Sequence, residues 1–234
     1  MNIRTLASSS KGNCYLISDG SSRLMIECGI QFKKIQQEID LPSLTGCLIS
    51  HEHKDHAKSC KEIARYAKVY GSLGTLQALD FGAYAFNTGV LTAEKQHQIG
   101  TFTVVPFGTE HDAKEPMGFL VYSKVLDEKL LFATDTYYIR PTFRGLDYIM
   151  IECNYQTELL KHNLAAGSVS SSTATRLFSS HFELQNVKKF LSSLDLTRTK
   201  RIYLLHLSEK NANAEQMKRE IMELTGKPVE ICKE

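Results

Sequence analysis

The sequence predicts an α/β fold, and three observations carry that reading. Short apolar runs rich in β-branched or aromatic residues recur along the chain, at residues 14–18, 23–28, 101–107, 129–133, 148–151 and 201–205. Between them lie stretches whose apolar residues repeat at helical spacing, at 32–39, 57–67, 187–191 and 215–224. The chain has 234 residues and no linker-like segment, so a single domain spanning 1–234 with a sizeable core is expected.

Taken in order, residues 14–18 and 23–28 flank the turn Asp19-Gly20-Ser21-Ser22 and read as a β-hairpin that begins the sheet. Ahead of it, residues 8–13 form a small polar loop, either a ligand contact built around Gly12 or a plain connector. Residues 32–39 form an amphipathic helix stopped near Pro42, and 57–67 a second helix with Cys60, Ile63, Ala64 and Ala67 on one face. A short strand at 68–71 precedes 73–86, which reads as helical or irregular. His97 and His162 sit in polar settings and are read as surface residues. The strand at 101–107 leads to His111 and Asp112, that at 129–133 to Asp135, that at 148–151 to Glu152 and Asn154, and that at 201–205 to His206. A serine-rich mobile loop at 168–173 enters a helix carrying Arg176. His181 precedes the helix at 187–191, and an edge strand at 229–231 follows Gly226 and Pro228.

The strongest local signal is Ser50-His51-Glu52-His53-Lys54-Asp55-His56, which follows the apolar run Cys47-Leu48-Ile49. Imidazole nitrogen and carboxylate oxygen are both good ligands for zinc and similar ions. A tight turn can aim His51 and His53 at one point while Asp55 and His56 face elsewhere. Two adjacent metals follow, each needing further ligands from distant sequence.

This H-x-H-x-D-H turn resembles the signature of the metallo-β-lactamase superfamily. The residues Ser8-Ser9-Ser10-Lys11-Gly12-Asn13-Cys14 near the start and Leu205-His206-Leu207-Ser208 near the end look more like its small YycJ-type exonuclease branch than like true β-lactamases. The resemblance implies an αββα sandwich, two mixed sheets flanked by helices. It implies that His111 completes the shell of the first metal, His206 that of the second, and that Asp135 bridges them. Asp112 and Glu152 become supporting residues, and Asn154 positions ligands or substrate. Glu27 stands where the family usually has an aspartate bracing the metal turn. His181 resembles a family histidine that reaches toward the site and could protonate a leaving group.

The resulting expectation is a hydrolase with two divalent ions, zinc first and manganese or iron as alternatives, using a bridging hydroxide. Asp55 and His181 are its candidate catalytic residues. Two cations outweigh the two ligand carboxylates, so an anionic phosphodiester, with DNA as the leading case, is favoured over a neutral ester. Ser10, Asn13, Asn154, Arg176 and His181 are the candidate substrate contacts. A hydrolase of cyclic nucleotides, lactones or thioesters, and a binding protein without catalysis, are the competing readings. The net charge of +2 announces no nucleic-acid binder and sets up no repelling acidic field. No apolar run approaches membrane-spanning length, residues 1–8 lack the core of a secretory signal, and the six cysteines form no C-x-x-C pair. A cytoplasmic protein with reduced, mostly buried thiols is expected.

Overall fold

The computed structural model describes residues 1–233. The architecture is α/β, two mixed β-sheets flanked by helices, as the sequence predicts. The described residues divide into two compact units, one made of Met1–Gly108, Ala113–Glu128 and Lys233, the other of Thr109–Asp112 and Lys129–Cys232.

The first unit opens with β1 (Asn2–Ser9), β2 (Gly12–Ser18) and β3 (Arg23–Ile26), paired antiparallel. There follow α1 (Phe32–Glu38), β4 (Gly46–Leu48), α2 (Lys54–Ala57), α3 (Cys60–Ile63), β5 (Val69–Gly71), α4 (Leu73–Leu79) and β6 (Thr88–Val90). The strands β3, β4, β5 and β6 pair in parallel, which completes a six-stranded sheet in sequence order. β7 (His97–Ile99), β8 (Phe102–Gly108) and β9 (Met117–Ser123) form an antiparallel meander. Ala7, Cys14, Met25, Ile35, Cys47, Ile49, Ile63 and Val69 are fully or almost fully buried in one apolar cluster. Burial of each large aliphatic side chain there contributes about 1.5–3 kcal/mol.

Two sequence expectations need correction here. Residues 8–13 are not a free loop: Ser8 and Ser9 end β1, Gly12 and Asn13 begin β2, and Ser8 Oγ lies 2.7 Å from the Tyr15 hydroxyl. The single helix expected at 57–67 is two short ones, because the Ser59 N–H donates to Cys28 O at 3.0 Å and its hydroxyl to Ile30 O at 2.7 Å. The chain is captured sideways at that residue, and the i to i−4 ladder breaks.

The second unit is built on β10 (Glu128–Ala133), β11 (Tyr148–Glu152), β12 (Arg201–Leu205) and β13 (Val229–Ile231), all parallel in that order. Its helices are α5 (Thr157–Ala165), α6 (Ser171–Ser180), α7 (Leu184–Ser192) and α8 (Ala214–Thr225). In α7, Leu184, Val187 and Leu191 fall on one face and are buried, while Lys189 on the other is exposed. The apolar strands read as continuous runs, as strands covered on both faces do. Among the described residues no helix is long and apolar enough to cross a membrane.

Candidate functional site

In the first unit the histidine-rich turn lies between β4 and α2. His51 Nδ1 is 2.9 Å from Ser50 Oγ, and its Nε2 is 3.1 Å from His53 Nδ1. His56 is fully buried in α2, with Nε2 3.3 Å from Asp55 Oδ2. Ligand atoms about 2.05 Å from a tetrahedral ion lie about 3.3 Å apart, so both pairs have the separation of an edge of a metal shell.

The turn is held from beneath. Glu27, fully buried, accepts the Ser50 N–H at 3.1 Å through Oε1 and places Oε2 3.6 Å from His56 Nδ1. Burial pushes its pKa up, against the opposing pull of His56 and Ser50. Asn13, expected among the substrate contacts, is also fully buried. Its amide nitrogen donates to Ser9 O and Asp55 O and lies 3.2 Å from His56 Nε2, so it props the turn instead of facing a ligand. Ser10 is exposed in the link between β1 and β2.

In the second unit Asp135, Glu152 and His206, at the ends of the parallel strands β10, β11 and β12, come together with His111, from the segment 109–112, and His181, which caps the C-terminus of α6. Asp135 follows β10 and His206 follows β12, and both have left-handed backbones, at φ 46° and 53°. Glu27, after β3 in the other unit, has φ 63°. Such conformations cost a non-glycine residue about 1–2 kcal/mol, so the surrounding bonds must hold these residues in place.

Asp135 stands between two histidines, with Oδ2 3.6 Å from His111 Nε2 and Oδ1 3.6 Å from His206 Nδ1. Thr134 donates its hydroxyl to Asp135 Oδ1 at 2.9 Å. His111 Nδ1 lies 3.1 Å from Ser180 O and donates to it, which turns the lone pair of Nε2 toward Asp112 and Asp135. Burial pulls the pKa of His111 down despite the carboxylates of Asp135, Glu152 and Asp112, and a neutral ring is what a ligand requires. Asn154 clamps His206, its amide nitrogen 3.1 Å from Nδ1 and donating to the backbone oxygen at 2.8 Å. Its Oδ1 is buried without a hydrogen-bond partner among the described residues.

His181 Nδ1 lies 2.6 Å from Glu152 Oε1. Donor atoms of Asp135, Glu152, His181 and His206 all lie within 4.8 Å of one another, a spacing that could hold an ion. The 2.6 Å separation is that of a strong, charge-assisted hydrogen bond and is shorter than a shell edge. Burial opposes charge on both, yet their mutual attraction wins: the pKa of His181 is raised and that of Glu152 lowered. Arg176 on α6 is half exposed and bonds Asp112, Nε to Oδ2 at 3.3 Å. Sequence reasoning missed Ser180 and Thr136. The first acts through a backbone carbonyl, which carries no residue signal, and the Thr136 N–H donates to Glu152 Oε2 at 2.9 Å.

Residues 22–207 match the family model of the β-lactamase superfamily domain. The chain belongs to that superfamily. It is 28% identical over 227 residues to exodeoxyribonuclease YycJ of Bacillus anthracis, which covers 90% of this chain and 84% of the relative. It is 30% identical over 225 residues to exodeoxyribonuclease WalJ of Streptococcus pneumoniae, covering 88% and 81%. Among solved structures, the metallo-β-lactamase fold protein YhfI from Bacillus subtilis superposes with a TM-score of 0.76 at 15% identity, over 99% of this chain and 95% of that one. The protein is thus a superfamily hydrolase of the metal-dependent kind, and the histidine and carboxylate donors of both units fit divalent cations.

Proposed function

We propose that the protein, as one hydrolase domain, is a dinuclear-metal phosphodiesterase that degrades DNA from an end. The observation that carries this reading is Asp135, whose two oxygens face His111 and His206 separately, as a carboxylate serving two cations must do. In this reading His51, His53 and His111 hold one ion, Asp55, His56 and His206 the other, and Asp135 joins them. Zinc is the first choice for this donor set, with manganese or iron as alternatives. When bound, the ions would activate water and stabilise charge on the attacked phosphoryl group.

The chain supplies the rest. Glu152 fixes the ring of His181 and favours its protonated form, which lets His181 give a proton to the departing oxygen. Asn154 and Ser180 hold His206 and His111 in orientation. Two cations against two ligand carboxylates leave a site that attracts anions. The names of the YycJ and WalJ relatives support DNA as the polymer. A DNA substrate and six buried cysteines outside any disulfide fit a cytoplasmic setting.

The test is digestion of end-labelled single- and double-stranded DNA and RNA, alongside cyclic nucleotides, lactones and thioesters, in the presence of zinc, manganese or iron. DNA should shorten progressively from one end. Chelation or Asp135→Ala should abolish this. Turnover of a small ester with every polymer left intact would overturn the proposal in favour of a small-molecule hydrolase.

A further inference from the structure

Glu152 positions more than a histidine. Its Oε2 accepts the backbone N–H of Thr136 at 2.9 Å and that of Phe182 at 3.2 Å. Thr136 lies between Asp135 and Tyr137, a residue of a neighbouring groove, and Phe182, next to His181, lines that groove itself. The groove, about 400 Å³, is lined by Tyr137, Tyr138 and Arg140 following Asp135, and by Phe182, Lys189 and Phe190 following His181. Thr136 Oγ1 donates to Tyr138 O at 2.7 Å and accepts the Glu110 N–H at 3.0 Å, which fixes the tyrosine backbone to the same frame.

The lining combines aromatic rings with two cations. Tyr137 and Tyr138 expose 40% and 54% of their surface, while Phe182 is buried and its ring lies 6.4 Å from that of Phe190. Arg140 is held by Glu110, with Nε and Nη2 both 2.6 Å from Oε1, yet remains 74% exposed. A guanidinium has five N–H donors, so this pairing orients it and leaves others for a ligand. Lys189 is exposed. Lys188 beside it pairs with Glu220 at 2.9 Å, but Lys189 has no carboxylate partner among the described residues.

Exposed aromatic rings bind the faces of nucleobases, and flanking cations bind phosphate. Another cavity of this unit, about 510 Å³, makes the contrast: its walls include Glu158, Glu183 and Glu220, and it offers an anion no such welcome. The aromatic groove has the volume of a small-molecule site, enough for one nucleotide. We infer that it is a nucleotide subsite, in which a base of the DNA strand stacks on Tyr138 and Tyr137 while Lys189 and Arg140 take its phosphate. The subsite rests on the DNA reading above and extends it: the enzyme grips an unpaired nucleotide of the strand it cleaves.

The probe is the 5′-monophosphate of 2-aminopurine deoxyriboside, which has no phosphodiester to cleave and whose fluorescence falls on stacking. With the metal-loaded full-length protein, quenching should saturate. Tyr138→Ala should weaken binding about tenfold, Tyr138→Phe should leave it nearly unchanged, and Lys189→Gln should weaken it and flatten its salt dependence. Turnover of bis(p-nitrophenyl) phosphate should be the same in Tyr138→Ala as in the parent. Absence of quenching by the parent, quenching indifferent to Tyr138→Ala, or an equal loss of the small-ester reaction would each overturn the subsite. Competition for the groove by an unlabelled peptide but not by deoxynucleotides would overturn it in favour of a protein partner. Tyr138-dependent quenching in a protein that cuts no DNA would leave the subsite standing and sink the nuclease reading. DNA cleavage without such quenching would do the reverse.

Discussion

At Gly29 one absent carbon decides whether the histidine-rich turn can pack. A Cβ there would fall 1.7 Å from Asp55 O and 2.7 Å from His56 N, where the chain passes directly over α2. The neighbouring backbone bonds, Cys28 N to His56 O at 2.7 Å and Gly29 N to Asn13 O at 2.8 Å, leave no slack. Gly29→Ala should cost about 3 kcal/mol, read as a lower urea midpoint at unchanged slope. Glu152 supports a different prediction. If it orients His181 and ligates nothing, Glu152→Gln should keep the parent's metal content by elemental analysis while kcat falls about 10- to 100-fold. Loss of an ion in that variant would make Glu152 a ligand. The histidine turn was legible in sequence because its four donors lie within six residues. His111, Asp135 and His206 could be named only through the family resemblance, since nothing local ties one strand end to another. Glu152 binds three groups from two separate segments, Thr136 in one and His181 and Phe182 in the other, and that role exists only once the chain is folded.

Among the elements, the sequence revealed those whose pattern is decided locally. The runs at 101–107, 129–133, 148–151 and 201–205 became β8, β10, β11 and β12, because unbroken apolar β-branched stretches need no partner to be recognised. β1 was hidden by its polar residues and by a register shift between Thr5 and Ala7, which interrupts the alternation a strand should display. The break between α2 and α3 comes from bonds to residues 28 and 30, far upstream. The serine-rich run at 168–173, whose composition favours a loop, holds the start of α6. Ser170 caps that helix by accepting the Thr173 N–H at 3.1 Å. Ser170→Ala should destabilise α6 by about 1 kcal/mol, seen as faster amide hydrogen exchange in residues 171–180.

For the molecule as a whole, acid sensitivity has a structural address in Asp19. Its carboxylate accepts from Thr101 Oγ1 at 2.6 Å, Ser123 Oγ at 2.9 Å and the backbone of Ser21 and Ser22, and so ties three turns of the first unit together. Burial works against its charge, but these bonds prevail and the pKa is lowered. A lowered folded-state pKa gives stability that is present above the unfolded value, about 4, and is lost as pH falls through the folded value. Urea midpoints of the parent should therefore drop below about pH 4, and Asp19→Asn should remove this part of the dependence while lowering stability at neutral pH.

The six buried cysteines give the protein an internal gauge of its own breathing. Cys14, Cys28, Cys47 and Cys60 belong to one unit and Cys153 and Cys232 to the other, and all are buried. Burial raises the thiol of Cys60 to about 12 and pushes Cys14, Cys28, Cys47 and Cys153 up as well, so the native thiols should ignore an alkylating reagent. Each modification would then record an opening event, and peptide mapping of the alkylated sites would tell which half of the chain opened first.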